Sequence, residues 1–274
     1  LINFVERKDQ KERLRSMRKK ILSKLSKIEK EEDVKILYAV ESGSRAWGFP
    51  SKDSDYDVRF IYLRPVECYL SIDKRRDVLE YPINNKLDIS GWNLKKALYL
   101  FKKSNPALIE WLSSSIVYFE RYSAINKLRE LNDKYFSIKS SIYHYLNMAR
   151  GNYKDYLQKD EVKIKKYFYV LRPILACKWL EANKTVAPMD FEELLDSQIS
   201  DMELHNEIKK LLKKKRAGEE LDIEAKIDII NEFIEGEIAY YEEYAKNAED
   251  IKSVSYKELN KLFRDTLGEV YGVI

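Results

Sequence analysis

Residues 41–59 read E-S-G-S-R-A-W-G-F-P-S-K-D-S-D-Y-D-V-R: a Gly-Ser turn after an apolar run, then three aspartates leading into another. Asp55 and Asp57 are two apart at the start of an expected strand. That alternation puts both carboxylates on one face, with Cα atoms roughly 6–7 Å apart. The spacing lets the two side chains converge on one or two Mg²⁺ ions. Gly43 and Ser44 offer backbone N–H groups and a hydroxyl to phosphate oxygens. Together these residues suggest metal-dependent chemistry on a nucleoside triphosphate. Asp88, in K-L-D-I-S, adds a third carboxylate on the polar face of a later strand. Three carboxylates can hold two divalent ions and still leave one to orient or deprotonate an attacking hydroxyl.

Competing motifs fit these residues less well. An EF-hand loop starting at Asp53 needs Gly near Val58 and Glu at Arg64, and both positions fail. Gly48-Phe49-Pro50 supplies no G-K-[ST], and Gly43 with Gly48 does not make G-x-G-x-x-G. An isolated D-x-D is ordinarily a solvated turn. Here the Gly-Ser pair before it, the strand after it and Asp88 shift the balance.

The elements that must position these residues follow from periodicity. Val34–Val40 and Tyr56–Leu63 read as strands, with Val58, Phe60 and Tyr62 opposite the Asp55/Asp57 face. Lys86–Ser90 and Ile116–Phe119 read as further strands, and another is expected near Arg76–Tyr81 after a short helix. A charged amphipathic helix spans residues 5–33, with Leu14, Met17, Ile21, Leu25 and Ile28 at three- and four-residue steps. Asn93 caps a helix reaching Lys103, and Asn105-Pro106 starts another ending near Leu112. From about residue 121 only helical patterns follow, at roughly 121–135, 137–158, 161–183, 190–198, 201–216, 221–247 and 255–270. Pro173, inside one of them, is expected to kink or restart its helix. The expected fold is α+β: a small mixed-sheet domain over 1–120 and an all-helical domain over 121–274.

Composition narrows the function class. The 274 residues are 45% hydrophobic and 35% charged, a charge-laced globular balance with room for a large core. No run approaches a membrane span and the N-terminus has no apolar signal core, so no membrane partner and a cytoplasmic location are expected. Cys68, Cys177, His144 and His205 cannot form a zinc site of ordinary spacing. A net charge of +4 permits a nucleic-acid surface without demanding one. Tyrosine occurs 20 times, against 8 Gly and 6 Pro. Tyr143, Tyr145, Tyr153, Tyr156, Tyr167 and Tyr169, interleaved with Lys154, Lys159, Lys163, Lys165 and Lys166, would suit single-stranded RNA. Tyrosines at helical spacing also line cores. Lys213-Lys214-Lys215-Arg216 reads as a solvated helix end that would equally suit an RNA backbone.

Gly-Ser, about ten residues, then D-x-D entering a strand with a third Asp on a later one resembles the DNA polymerase β superfamily of nucleotidyltransferases. More narrowly, E-S-G-S-R-A-W-G-F, D-S-D-Y-D-V-R-F-I-Y, D-I-S-G-W-N-L-K-K-A-L, K-S-N-P-A-L-I-E-W-L and L-R-P-I-L-A-C-K-W-L resemble the predicted nucleotidyltransferase family that includes YcgL and RNA-repair-associated members. The match runs over about residues 36–182. It implies that Gly43 and Ser44 grip the triphosphate, that Asp55 and Asp57 ligate Mg²⁺, and that Asp88 joins the catalytic metal and acts as base. Two Mg²⁺ ions, with Mn²⁺ as a substitute, and an NTP substrate follow from the same resemblance. Arg45 is a candidate to reach a phosphate, and Arg59, Trp47 and Glu41 rank with it as second-line candidates. Lys166 and Arg172 either touch the triphosphate tail across the cleft or are cations on an amphipathic helix. The expected acceptor is an RNA 3′ end, tRNA in a repair setting among them. The alternatives are a protein hydroxyl, as in toxin–antitoxin nucleotidyltransferases, or a non-catalytic NTP- or RNA-binding module.

Overall fold

A computed structural model describes residues 2–73, 75–84, 86–218, 223–247 and 254–272, with side chains from residue 12 onward. Helix α1 (Ile2–Glu31) lays Ile21, Leu25 and Ile28 against one face of a sheet. The chain then passes through β1 (Lys35–Ser42), the single turn α2 (Gly43–Ala46), β2 (Tyr56–Leu63), α3 (Val66–Leu70), β3 (Val78–Asn84) and β4 (Leu87–Asn93). Helices α4 (Leu94–Lys102) and α5 (Pro106–Ser113) start where their caps predict. The Asn93 side chain accepts from the Lys95 N–H, and that of Asn105 accepts from the Leu108 N–H. Strand β5 (Val117–Glu120) completes the sheet.

The strand order is β3-β4-β2-β1-β5, with β2 and β4 parallel and the other pairs antiparallel. Strand β1 is buried from Ile36 through Glu41, as a strand covered on both faces must be. Val58, Phe60 and Tyr62 point toward α1, which leaves the alternate positions of β2 on the other face. Register then sets the site: Ser42 lies opposite Asp57, and Asp57 lies level with Asp88 on the parallel neighbour. A slip of one residue would turn the acids into the apolar layer, so burial of the β2 core side chains holds them in place.

Helices dominate the rest: α6 (Ala124–Glu130), α7 (Asn132–Tyr135), α8 (Ile138–Tyr156), then after strand β6 (Glu161–Lys163) α9 (Ile164–Asn183), α10 (Phe191–Gln198) and α11 (Met202–Ala217). Strand β7 (Ile223–Ala225), α12 (Asp228–Asn247) and α13 (Lys257–Tyr271) close the chain. Residues 161–163, expected as helix, instead pair with β7, with Val162 buried between exposed Glu161 and Lys163. So short an alternation is invisible beside the helical pattern that follows. Helix α9 runs unbroken through Pro173 and does not restart there. Leu171, Ile174 and Leu175 are buried on either side of the proline, so packing sustains the helix. The helix expected over 221–247 begins at Asp228, and residues 221–222 lie outside the described ones.

Two insertions tie the sheet to the helices. Phe49, from the loop after α2, enters the helical core, its ring centroid 5.0 Å from Phe168 and 5.4 Å from Phe191. In the opposite sense α13 packs on α4 and α6, adding Leu259, Leu262 and Leu267 to the apolar cluster on the far face of the sheet from α1. Among the described residues no helix is long and apolar enough to cross a membrane.

Candidate active site

The end of β1 passes unusually close to β2. Gly43 has φ +59°, and a Cβ there would lie 2.2 Å from Asp57 Oδ2. Glycine alone permits both the left-handed backbone and the approach. A Gly43→Ala protein is therefore expected to lose about 1–2 kcal/mol from backbone strain alone and to displace the Asp57 carboxylate. A thermal melt indistinguishable from that of the native chain would contradict this geometry.

Glu41 braces the same point from β1. Its Oε1 accepts the Asp57 N–H at 2.9 Å, and its other oxygen accepts the Tyr118 hydroxyl. Burial pushes the Glu41 carboxyl up to about 7 against these hydrogen bonds. Burial likewise raises Asp57, with the charges of Asp88 and Asp55 adding to it and Arg59 opposing. Arg59 shares their face and bridges them, 3.2 Å from Asp57 Oδ1 and 2.7 Å from Asp88 Oδ2. Asp55 is exposed just before β2.

Gly43, Ser44, Asp55 and Asp57 line one cavity of about 530 Å³, with Arg59, Glu80 and Ser90 on the same wall. Asp88 stands beside it, covered by the Arg59 guanidinium. The donors are all hard oxygens, and a hard divalent cation such as Mg²⁺ suits such a set. Among the described residues no three acidic, histidine or cysteine side chains are gathered closely enough to hold an ion as they stand. Arg59 occupies the position between two of them.

The facing wall comes from the helices: Met148 on α8, Lys165, Phe168 and Tyr169 on α9, and Lys215 on α11. Lys215 is only 5% exposed, and its ammonium donates to Ser54 Oγ at 3.1 Å. Burial, with Lys165 and Arg45 nearby, pushes its pKa down to about 8, and Asp55 opposes. Burial also lowers Lys165, with Lys166 and Lys163 adding to it. A reading of the sequence places Lys165 among cations suited to single-stranded RNA and Lys215 in a solvated K-K-K-R run, and neither in the NTP cavity. Lys215 continues the buried steps of Ile208, Leu211 and Leu212, a periodicity that extends through the run.

The other candidate cations lie elsewhere. Arg45 stacks over Tyr56 at 3.7 Å and donates to the Ser54 and Asp55 carbonyls at 2.9 and 3.0 Å, clasping the acidic loop from behind. Lys166 sits 3.5 Å over the Tyr156 ring, outside the cavity. Arg172 is 1% exposed and pairs with Glu110, which also accepts from Tyr145 and Trp47.

Sequence comparison agrees with the resemblance carried by these residues. The family described as "RNA repair pathway DNA polymerase beta family" matches residues 17–265. The chain is 56% identical over 255 residues to uncharacterized protein YcgL of Bacillus subtilis (strain 168), a match covering 93% of this chain and 98% of that one. A crystal structure of a nucleotidyltransferase-like protein from Exiguobacterium sibiricum 255-15 aligns over 90% of this chain and 89% of its own, with 13% identity and a TM-score of 0.29.

Proposed function

The chain belongs to the RNA repair pathway DNA polymerase beta family, and from that premise we propose that it is a Mg²⁺-dependent nucleotidyltransferase. The reaction would move an NMP from an NTP to an acceptor hydroxyl, at an RNA 3′ end, with release of pyrophosphate. One observation carries the reading: an acidic wall with a close-packed Gly-Ser turn faces two lysines across a single cavity. That polarity suits a triphosphate whose reacting end meets the acids while its leaving end meets cations.

In this reading Asp55, Asp57 and Asp88 would hold two Mg²⁺ ions, with Mn²⁺ as a substitute, which when bound supply charge neutralisation to nucleophile and leaving group. The Gly43 N–H and the Ser44 N–H and hydroxyl orient phosphate oxygens. Lys165 and Lys215 balance the charge that develops on the leaving pyrophosphate, a contribution of position and electrostatics. Arg45 holds the Asp55 loop in shape through its backbone carbonyls. The working division is a catalytic part over 1–120 and a part over 121–274 that closes the NTP cleft, with α6 and α13 of the latter packed on the sheet side.

Incubating the chain with each labelled NTP, Mg²⁺ and either total RNA or total protein tests this directly. Label on RNA is the expected result. Label on protein would replace the RNA acceptor with a protein hydroxyl, and tight NTP binding with no transfer would reduce the chain to a binding module.

The lysines add a pH signature. An ammonium binds phosphate only while protonated, and burial, abetted by Lys165 and Arg45 and opposed by Asp55, holds Lys215 near 8. KM for the NTP should therefore climb between pH 7 and pH 9. Lys215→Met should raise KM about tenfold at pH 7, roughly 1.4 kcal/mol, and flatten that climb. A climb that survives the substitution would remove Lys215 from the role.

A further inference from the structure

The aromatic-basic stretch sorts into two sets on folding. Tyr145, Tyr153 and Tyr167 are buried, while Tyr143, Tyr156 and Tyr169 stay more than a third exposed. Tyr156 lines a second concavity of about 460 Å³, together with Lys159, Lys163, Lys165 and Lys166 among others. Lys165 lines this concavity and the active-site cavity alike, and Tyr169 lines the latter, so the two adjoin at Lys165.

Charge there is predominantly positive. Elsewhere on the helices Lys178, Lys209, Lys214 and Arg216 are each matched to a glutamate. The four lysines of the concavity make no ion pair among the described residues, and they outnumber the two acids that share it, Asp155 and Glu161. Lys166 lies over two of the exposed rings, 3.5 Å from the centroid of Tyr156 and 5.0 Å from that of Tyr169. An ammonium resting on a ring marks a face that is open to a flat, electron-accepting partner. A nucleobase takes that place by stacking and releases the lysine to the adjacent phosphate.

We infer that the surface running from Tyr169 past Lys166 and Tyr156 to Lys163 and Lys159 is the track on which the terminal nucleotides of a single-stranded RNA acceptor lie, leading its 3′ end into the cavity. The inference rests on the RNA-acceptor reading and specifies where the strand approaches. Alternating ammonium groups and ring faces match alternating phosphates and bases, whereas an acidic peptide would use the charges and leave the rings idle.

Fluorescence anisotropy with a 5′-labelled single-stranded RNA and the full chain tests the track. Lys159→Gln/Lys163→Gln is expected to weaken RNA binding about tenfold at 0.1 M salt and to flatten the dependence of log Kd on log salt by about 1.4, the slope of two phosphate contacts on a single strand. Tyr156→Ala should weaken it at least about fivefold through lost stacking. All three positions are exposed, so melting temperatures should not move, and NTP binding should stay as in the native chain. Variants that bind RNA as tightly as the native chain overturn the track while transfer of label to RNA stands. An acidic polypeptide that displaces the RNA in proportion to its charge, with Tyr156→Ala silent, overturns it in favour of a protein ligand. Absence of RNA binding together with label on protein overturns the track and the RNA-acceptor reading together.

Discussion

An Asp57→Asn protein is expected to transfer label on the order of 10³-fold more slowly than the native chain, about 4 kcal/mol of transition-state stabilisation, while melting at the same temperature or higher. The two halves of that expectation have one cause. Asp57 is held against the Gly43 backbone, and its carboxyl is raised by burial and by the charges of Asp88 and Asp55, against the pull of Arg59. A carboxylate whose folded pKa exceeds its unfolded value binds more protons folded than unfolded. Stability therefore falls as pH rises through that window, and at neutral pH the charge opposes folding. Asparagine keeps the shape, relieves the repulsion, and leaves Arg59 its stronger contact with Asp88 at 2.7 Å. Repulsive charges kept in a cavity are the mark of groups retained for a ligand. Loss of transfer together with a lowered melting temperature would instead make Asp57 part of the scaffold. Unchanged transfer would remove it from the chemistry.

How much of this was legible beforehand depended on how local the signal was. The Asp55/Asp57 face is a period-two pattern at the start of a single strand, and the Gly-Ser turn precedes it by about ten residues. Both are readable without knowing what they pack on. The partnership of Asp57 with Asp88 needs the parallel pairing of β2 with β4, which an alternation in either strand alone does not specify. The cations show the limit most clearly. Lys166 and Arg172 attract notice as positive charges on α9, yet one caps an exposed ring and the other is buried. Lys215 hides in a basic run because lysine is normally counted as surface, although its spacing from Ile208 and Leu211 puts it on the buried face. Nothing local predicts that α13 returns to pack on α4 and α6.

Arg172 supplies the second large expected effect, on stability. Its guanidinium pairs with Glu110, 62 residues earlier in the chain, and lies 4.7 Å from the Trp47 ring. Glu110 accepts in addition from the Tyr145 hydroxyl at 2.9 Å and the Trp47 indole at 3.3 Å. Trp47 closes the α2 turn through its N–H to Gly43 O at 3.0 Å, so α5, α8 and α9 all meet behind the Gly-Ser segment. Glu110→Gln strands a buried cation and is expected to cost about 3–5 kcal/mol, lowering the melting temperature by roughly 10 °C. Arg172→Met should cost a comparable amount, since it leaves the carboxylate without its counter-charge. Replacing both with apolar residues, Glu110→Leu/Arg172→Met, should recover a large part of the loss, because the desolvation of two charges is then removed together. A cation that touched the triphosphate would behave oppositely: Arg172→Met would melt like the native chain and raise KM for the NTP. The double variant separates the two roles, since a lost phosphate contact is not restored by removing Glu110. Recovery of stability and of transfer together would assign the pair to holding the Gly-Ser turn against the helical wall, where its alignment with Asp57 is set.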